Sequence, residues 1–125
     1  LTKTYSSPFP ILFVCDFNNG DMVVPEYDET TIVSSNDTCV SVRTIADVDG
    51  SVTVSLSTSL PREAALEGHI EFAGVIKTPS GKVAAVTSEN VKLLEIEVGA
   101  DRTRLEVAVD DDQHPSRVWI AAKRV

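Results

Sequence analysis

Apolar and polar residues alternate with a period of two over much of the chain, the spacing of strands that bury one face and expose the other. Residues 51–57 place Val52, Val54 and Leu56 on one side, and residues 92–98 place Leu94, Ile96 and Val98 opposite Glu95 and Glu97. The pattern returns over residues 103–109, with Leu105, Val107 and Val109 inward and Arg104 and Glu106 outward. Residues 117–123 repeat it, with Val118, Ile120 and Ala122 on one side and Trp119 on the other. Further strands are expected at residues 40–45, 70–76 and 83–87. "PILFVC", ending at Cys15, is apolar on both faces, as befits a strand near the centre of a two-layer structure.

Turn residues fall between these runs. Asp49-Gly50, Pro79-Ser80-Gly81 and Gly99-Ala100-Asp101 each supply the glycine that a tight turn with positive φ requires, and each is read as joining neighbouring strands in a hairpin. Helical character is confined to "PREAALE" at residues 61–67, with Pro61 at a first helical position. The expected fold is therefore all-β: an antiparallel β-sandwich of about eight or nine short strands with at most one short helical turn. A partly open barrel is second. One domain, residues 1–125, is expected from the length. Its core is assigned to Ile11, Phe13, Val42, Val52, Val54, Leu56, Ile70, Phe72, Leu94, Ile96, Leu105, Val107, Val118 and Ile120. Trp119 alternates off that face and is expected to pack under a loop.

Composition adds little to the fold but much to the choice of partner. With 42% hydrophobic and 24% charged residues, the chain has the make-up of a soluble globular protein. Its longest apolar run, residues 8–15, is too short to cross a bilayer. No secretory signal is recognised, and a cytoplasmic location is expected, although the chain opens on Leu1 and a preceding segment can have been removed. Cys15 and Cys39 permit one disulfide and are read as two reduced thiols, Cys15 as a small buried hydrophobe. The sequon Asn36-Asp37-Thr38 is read as a chance tripeptide.

The net charge of −8 is unevenly distributed. Between residues 16 and 49 lie eight acids (Asp16, Asp21, Glu26, Asp28, Glu29, Asp37, Asp47, Asp49) against Arg43 alone, whereas beyond Gly50 eleven acids face nine bases. A field of that sign repels nucleic acid and anionic membrane and speeds encounter with a basic protein.

Complete motifs for catalysis or metal binding are lacking. Asp110, Asp111, Asp112 and His114 offer carboxylate and imidazole ligands, but neighbouring aspartates on extended chain point in alternate directions, and the segment is read as the polar loop of a hairpin. "DFNNGDMVVPEY" fails as an EF-hand, because Asp21 stands where glycine is required and Tyr27 where glutamate is. His69-x-Glu71 lacks the Pro-Cys-x-x-Cys half of a zinc deaminase. "GVIKTPSGKV" separates its glycines by six residues instead of four and has Val83 in place of the metal-binding Ser or Thr of a phosphate loop. A Ser-His-Asp or carboxylate-pair site assembled only in space is invisible at this level. No catalytic residue, metal ligand or cofactor is assigned.

The segments "YSSPFPILFVCDFNNGDMVVPEYDETTIV", "CVSVRTIADVDGSVTVSL" and "LEIEVGADRTRLEVAVDD" together resemble a loose bacterial group of small β-sandwich proteins that includes the competence-associated nuclease inhibitors. The resemblance runs over most of the chain and implies a non-enzymatic protein that binds and inhibits a nuclease or toxin-like partner. The acidic bias suits such a role, since a surface built for phosphates is basic. The expected function is thus a non-catalytic, acidic inhibitor or immunity-type protein with a basic protein partner, and without nucleic acid or membrane as ligand. Its contact residues are assigned to Asp21, Glu26, Tyr27, Asp28 and Glu29, in a loop favoured by Gly20 and Pro25 whose Met22, Val23 and Val24 supply apolar anchors. In the competing reading these apolar residues continue a strand into the core. Two further alternatives are a structural or interaction module acting through strand edges, and a sugar- or small-molecule-binding sandwich with Trp119, Tyr5 and Tyr27 as platforms. Oligomeric state is left open.

Overall fold

The computed structural model describes all residues, Leu1–Val125. Nearly half the chain, 48%, is strand and only 7% helix. The strands are β1 (Thr2–Tyr5), β2 (Ile11–Cys15), β3 (Val33–Ser35), β4 (Cys39–Arg43), β5 (Val52–Ser57), β6 (His69–Lys77), β7 (Lys82–Thr87), β8 (Lys92–Glu97), β9 (Arg102–Val109) and β10 (Arg117–Arg124). One helix, α1 (Arg62–Glu67), and a 3-10 turn at Asp47–Asp49 complete the structure. Pro61 caps α1 with extended φ/ψ, one position before the helix begins.

The strands form two five-stranded sheets, ordered β1-β5-β10-β9-β6 and β3-β4-β2-β7-β8. Their facing surfaces enclose one core, built from Leu12, Val14, Val40, Val42, Val83 and Ala85 of the second sheet against Val54, Leu56, Leu105, Val107, Val118 and Ile120 of the first. Burying these side chains is the main stabilising term of the fold. The sandwich expectation holds, with ten strands and one exception to antiparallel pairing: β5 and β10 run parallel, Arg117 opposite Thr53 and Ile120 opposite Leu56. A parallel pair cannot be closed by a tight turn, and here everything from α1 to β9 forms the connection.

The three glycine turns are corrected by this topology. Gly50, Gly81 and Gly99 do adopt positive φ, at 132°, 77° and 74°. Yet β4 and β5, β6 and β7, and β8 and β9 belong to different sheets, so each turn carries the chain across the sandwich instead of closing a hairpin. Turn chemistry reports local backbone shape and is silent about which layer receives the next strand. True hairpins occur at β3–β4, β7–β8 and β9–β10. The last encloses residues 110–116, so the aspartate-rich segment is a hairpin loop, as its flanking alternation implied.

The core list needs three corrections. On the doubly apolar β2, Leu12 and Val14 face the core while Ile11 and Phe13 lie on the outer face, because Leu12 pairs with Val42 and Val14 with Val40 in the ladder. Ile70, on the edge strand β6, is 54% exposed. A register shift between Ile70 and Phe72 breaks the alternation there, leaving Phe72 packed on the core. Trp119 is fully buried on the outer side of its sheet, covered by Ala64 of α1 and by Leu60 in the segment leading into that helix. The cover is thus the short helix together with the segment leading into it, where a loop was expected, and the buried indole is no ligand platform. Tyr5 is half-buried against the core.

Candidate functional site

The acidic segment leaves the second sheet at the end of β2 and returns at β3 without forming a strand or helix of its own. Three anchors order it. At its root the buried Asp16 carboxylate accepts the Asn18 N–H at 3.0 Å, the Ser80 N–H at 2.7 Å and the Ser80 hydroxyl at 2.6 Å. Midway, Val23 donates its N–H to Thr38 Oγ1 at 3.0 Å, while its carbonyl accepts from Asn36 Nδ2 at 2.8 Å and Thr38 Oγ1 at 3.1 Å. Near its end Arg43 Nη1 donates to the Glu29 carbonyl at 2.7 Å. Asn36 and Thr38, the two ends of the sequon, thus hold the loop to the β3–β4 turn. Asn36 Oδ1 also accepts the N–H groups of Thr38 and Cys39 at 2.8 and 2.9 Å.

Between these anchors the loop exposes both charge and apolar surface. Asp21, Glu26, Asp28 and Glu29 face solvent, as do Val23, Val24 and Tyr27, the tyrosine 65% exposed. Pro25 is buried and Met22 half-buried, packed on the outer face of the second sheet. The competing reading, in which these residues continue a strand into the core, is therefore overturned for Val23, Val24 and Tyr27. Together with β3 the loop walls a groove of about 940 Å³ lined by Val24, Glu26, Tyr27, Asp28, Glu29 and Ser34, among others. Asp21 lies apart from it, in a second recess with Asp37, Lys77 and Arg102. Four of the five assigned residues thus come together, and Asp21 does not.

Beyond Thr30 the loop meets a part of the chain that sequence could not bring near it. Thr30, Arg43 and Thr44 share a polar recess with Asp112, Gln113 and His114 of the β9–β10 hairpin. In that hairpin Asp111 Oδ1 accepts the N–H groups of Gln113 and His114 at 2.8 and 2.9 Å, which lowers its pKa. Asp110 accepts from the Ser116 and Arg117 N–H groups and from the Ser116 hydroxyl, all at 3.0 Å. Both carboxylates are therefore engaged with the loop's own backbone. Asp28 is similarly lowered by the Thr30 hydroxyl and N–H, at 2.6 and 2.9 Å. On the edge of the other sheet, His69 Nε2 meets Glu71 Oε1 at 2.6 Å in a half-exposed pair. No group of three or more His, Cys, Asp or Glu side chains has the arrangement of a metal site.

Both cysteines are free thiols and fully buried, and Cys15 stands directly opposite Cys39 in the β2–β4 ladder, a juxtaposition their spacing in the sequence does not show. Phe13 and Met22 pack over their cluster, together with Ala84 and Val86. The adjoining Cys39 thiol lowers the Cys15 pKa, against the opposing effects of burial and the Asp16 carboxylate. The same contact, followed by burial, pushes the Cys39 thiol up.

Fold and surface together define a small β-sandwich that carries an ordered acidic loop with exposed apolar residues. No family model matches the chain, and no curated protein matches it. Among solved structures its fold is similar to that of ComJ, the inhibitor of the DNA degrading activity of NucA, from Bacillus subtilis. The two superpose with a TM-score of 0.66 over 100% of this chain and 96% of ComJ, at 12% sequence identity. The resemblance read from the sequence is thus matched at the level of fold. No helix is long and apolar enough to cross a membrane.

Proposed function

We propose that this protein is a non-catalytic inhibitor or immunity-type protein that covers the active surface of a basic protein, such as a nuclease, with its acidic loop. The observation that carries the reading is Tyr27, 65% exposed between Glu26 and Asp28 on a loop tied down at Asp16, Val23 and Glu29. A large exposed aromatic ringed by carboxylates matches an interface with an aromatic anchor and a charged rim: the charges steer encounter and set specificity, and the ring supplies affinity on burial. Preordering by the three anchors lowers the entropy lost on binding. The fold shared with a nuclease inhibitor supports the same reading.

The test measures DNA cleavage by a basic nuclease with and without equimolar protein, and association rates at increasing salt. Inhibition is expected, with an association rate that falls with ionic strength and drops at least tenfold in Glu26→Lys with Asp28→Lys. Tyr27→Ala should instead raise the dissociation rate by about tenfold, about 1.4 kcal/mol, with no change in melting temperature. A complex whose formation is insensitive to salt and to both changes would defeat the assignment of this loop.

A further inference from the structure

We infer that Cys15 and Cys39 are a reversible redox pair that closes to a cross-strand disulfide and staples the root of the acidic loop. Geometry carries the inference, and it does not depend on the partner reading. In the β2–β4 ladder Thr44 donates its N–H to the Pro10 carbonyl, and the register is Leu12 with Val42, Val14 with Val40 and Cys15 with Cys39. Counting alternate rungs from Pro10 and Thr44 makes Leu12–Val42 and Val14–Val40 hydrogen-bonded pairs and Cys15–Cys39 a non-hydrogen-bonded pair. In such a pair the backbones approach to about 4.5 Å between Cα atoms and the side chains lie closest. That separation is inside the range a disulfide spans, about 4.4–6.8 Å. Both side chains project to the same, outer face of the sheet, since paired residues share a face.

Position gives the bond a consequence. Cys15 immediately precedes Asp16, where the loop starts, and Cys39 follows Thr38, whose hydroxyl holds Val23. A disulfide would close residues 15–39 into a ring containing the whole acidic segment and lock two of its three anchors to one another. The thiols lie under Phe13 and Met22, so oxidant reaches them only when the loop lifts, and the reaction samples loop opening.

The chemistry balances with a small-molecule disulfide as oxidant. The Cys15 thiolate attacks glutathione disulfide and releases one glutathione as thiolate, leaving a mixed disulfide. Cys39, after losing its proton, attacks the Cys15 sulfur and expels the second glutathione. Two protein thiols are oxidised, one glutathione disulfide is reduced to two thiols, and the protein loses two hydrogens.

The full chain is equilibrated natively with glutathione disulfide in excess, and then with excess reduced glutathione. Intact mass, peptide mapping and thermal unfolding are followed. The expected result is a monomer lighter by two hydrogens, a linked peptide pair containing Cys15 and Cys39, and a melting temperature raised by roughly 5–10 °C, all reversed by reductant. Cys39→Ala should retain the unoxidised melting temperature under both conditions. Two alkylatable thiols remaining after equilibration, intermolecular crosslinks, or only stable mixed disulfides would each overturn the inference. So would the same melting shift in Cys39→Ala.

Discussion

Asp16 and Ser80, 64 positions apart in the chain, are joined by two short hydrogen bonds, the backbone N–H and the hydroxyl of Ser80 both donating to the Asp16 carboxylate. The pair pins the exit of β2 to the β6–β7 connection, so a crossing between sheets and the start of the acidic loop share one fastening. A buried carboxylate needs this number of donors to offset lost hydration. Asp16 belongs by count to the acidic segment, but its side chain is buried and serves structure, not contact.

Asp16→Asn is expected to cost about 2–3 kcal/mol, because one carboxylate oxygen becomes an NH₂ group facing a donor and a charge-assisted bond is lost. Urea denaturation of the variant beside the wild type measures it. A loss below about 0.5 kcal/mol, the range of an ordinary surface change, would contradict the fastening.

Gly68 and Gly20 should respond oppositely to alanine. A Cβ at Gly68 would lie 2.5 Å from the Val109 carbonyl oxygen and 2.7 Å from Trp119 Cζ3, where backbone and a buried indole leave no room. The expected destabilisation of Gly68→Ala is about 1–3 kcal/mol. At Gly20 a Cβ meets nothing within 4 Å, and the change should stay within about 0.5 kcal/mol. Emission of the single tryptophan, blue-shifted in the native state because Trp119 is buried, reports both unfolding curves.

Asp28 and Asp111 should titrate below the usual aspartate range, since the native state donates hydrogen bonds to each carboxylate. With the folded pKa depressed, their contribution is fully present above the unfolded value of about 3.9 and is lost as pH falls through the lower folded value. Neutral and mildly acidic solutions should therefore leave these loops unchanged. Carbon-detected titration of the carboxyl groups checks this, and Thr30→Ala should return Asp28 toward its ordinary value while leaving Asp111 in place.

Legibility followed the reach of each interaction. The eight strands with apolar alternation, or an apolar run, were readable because burial on one face imposes a period of two. β1 and β3 carried no such signal. They are short edge strands, "TKTY" and "VSS", with almost no buried apolar side chain, and they exist because β5 and β4 offer them ladders. Likewise β2, apolar throughout, could not reveal by itself that Leu12 and Val14 face inward; its register with β4 chose between two equivalent faces.

By itself the sequence determined the class of fold, the short helix after Pro61, the hairpin at residues 110–116 and the concentration of acid between residues 16 and 49, because each depends on neighbours along the chain. Tertiary structure alone decided which layer received each strand after Gly50, Gly81 and Gly99, the parallel pairing of β5 with β10, and the burial of Trp119 under α1. It also decided that Asp16 is buried while Tyr27 is exposed, that Thr30 borders Asp112 to His114, and that Cys15 faces Cys39 across a ladder. These are contacts between residues distant in sequence. They are selected by the packing of two sheets against each other, a global condition that no local pattern of polarity encodes.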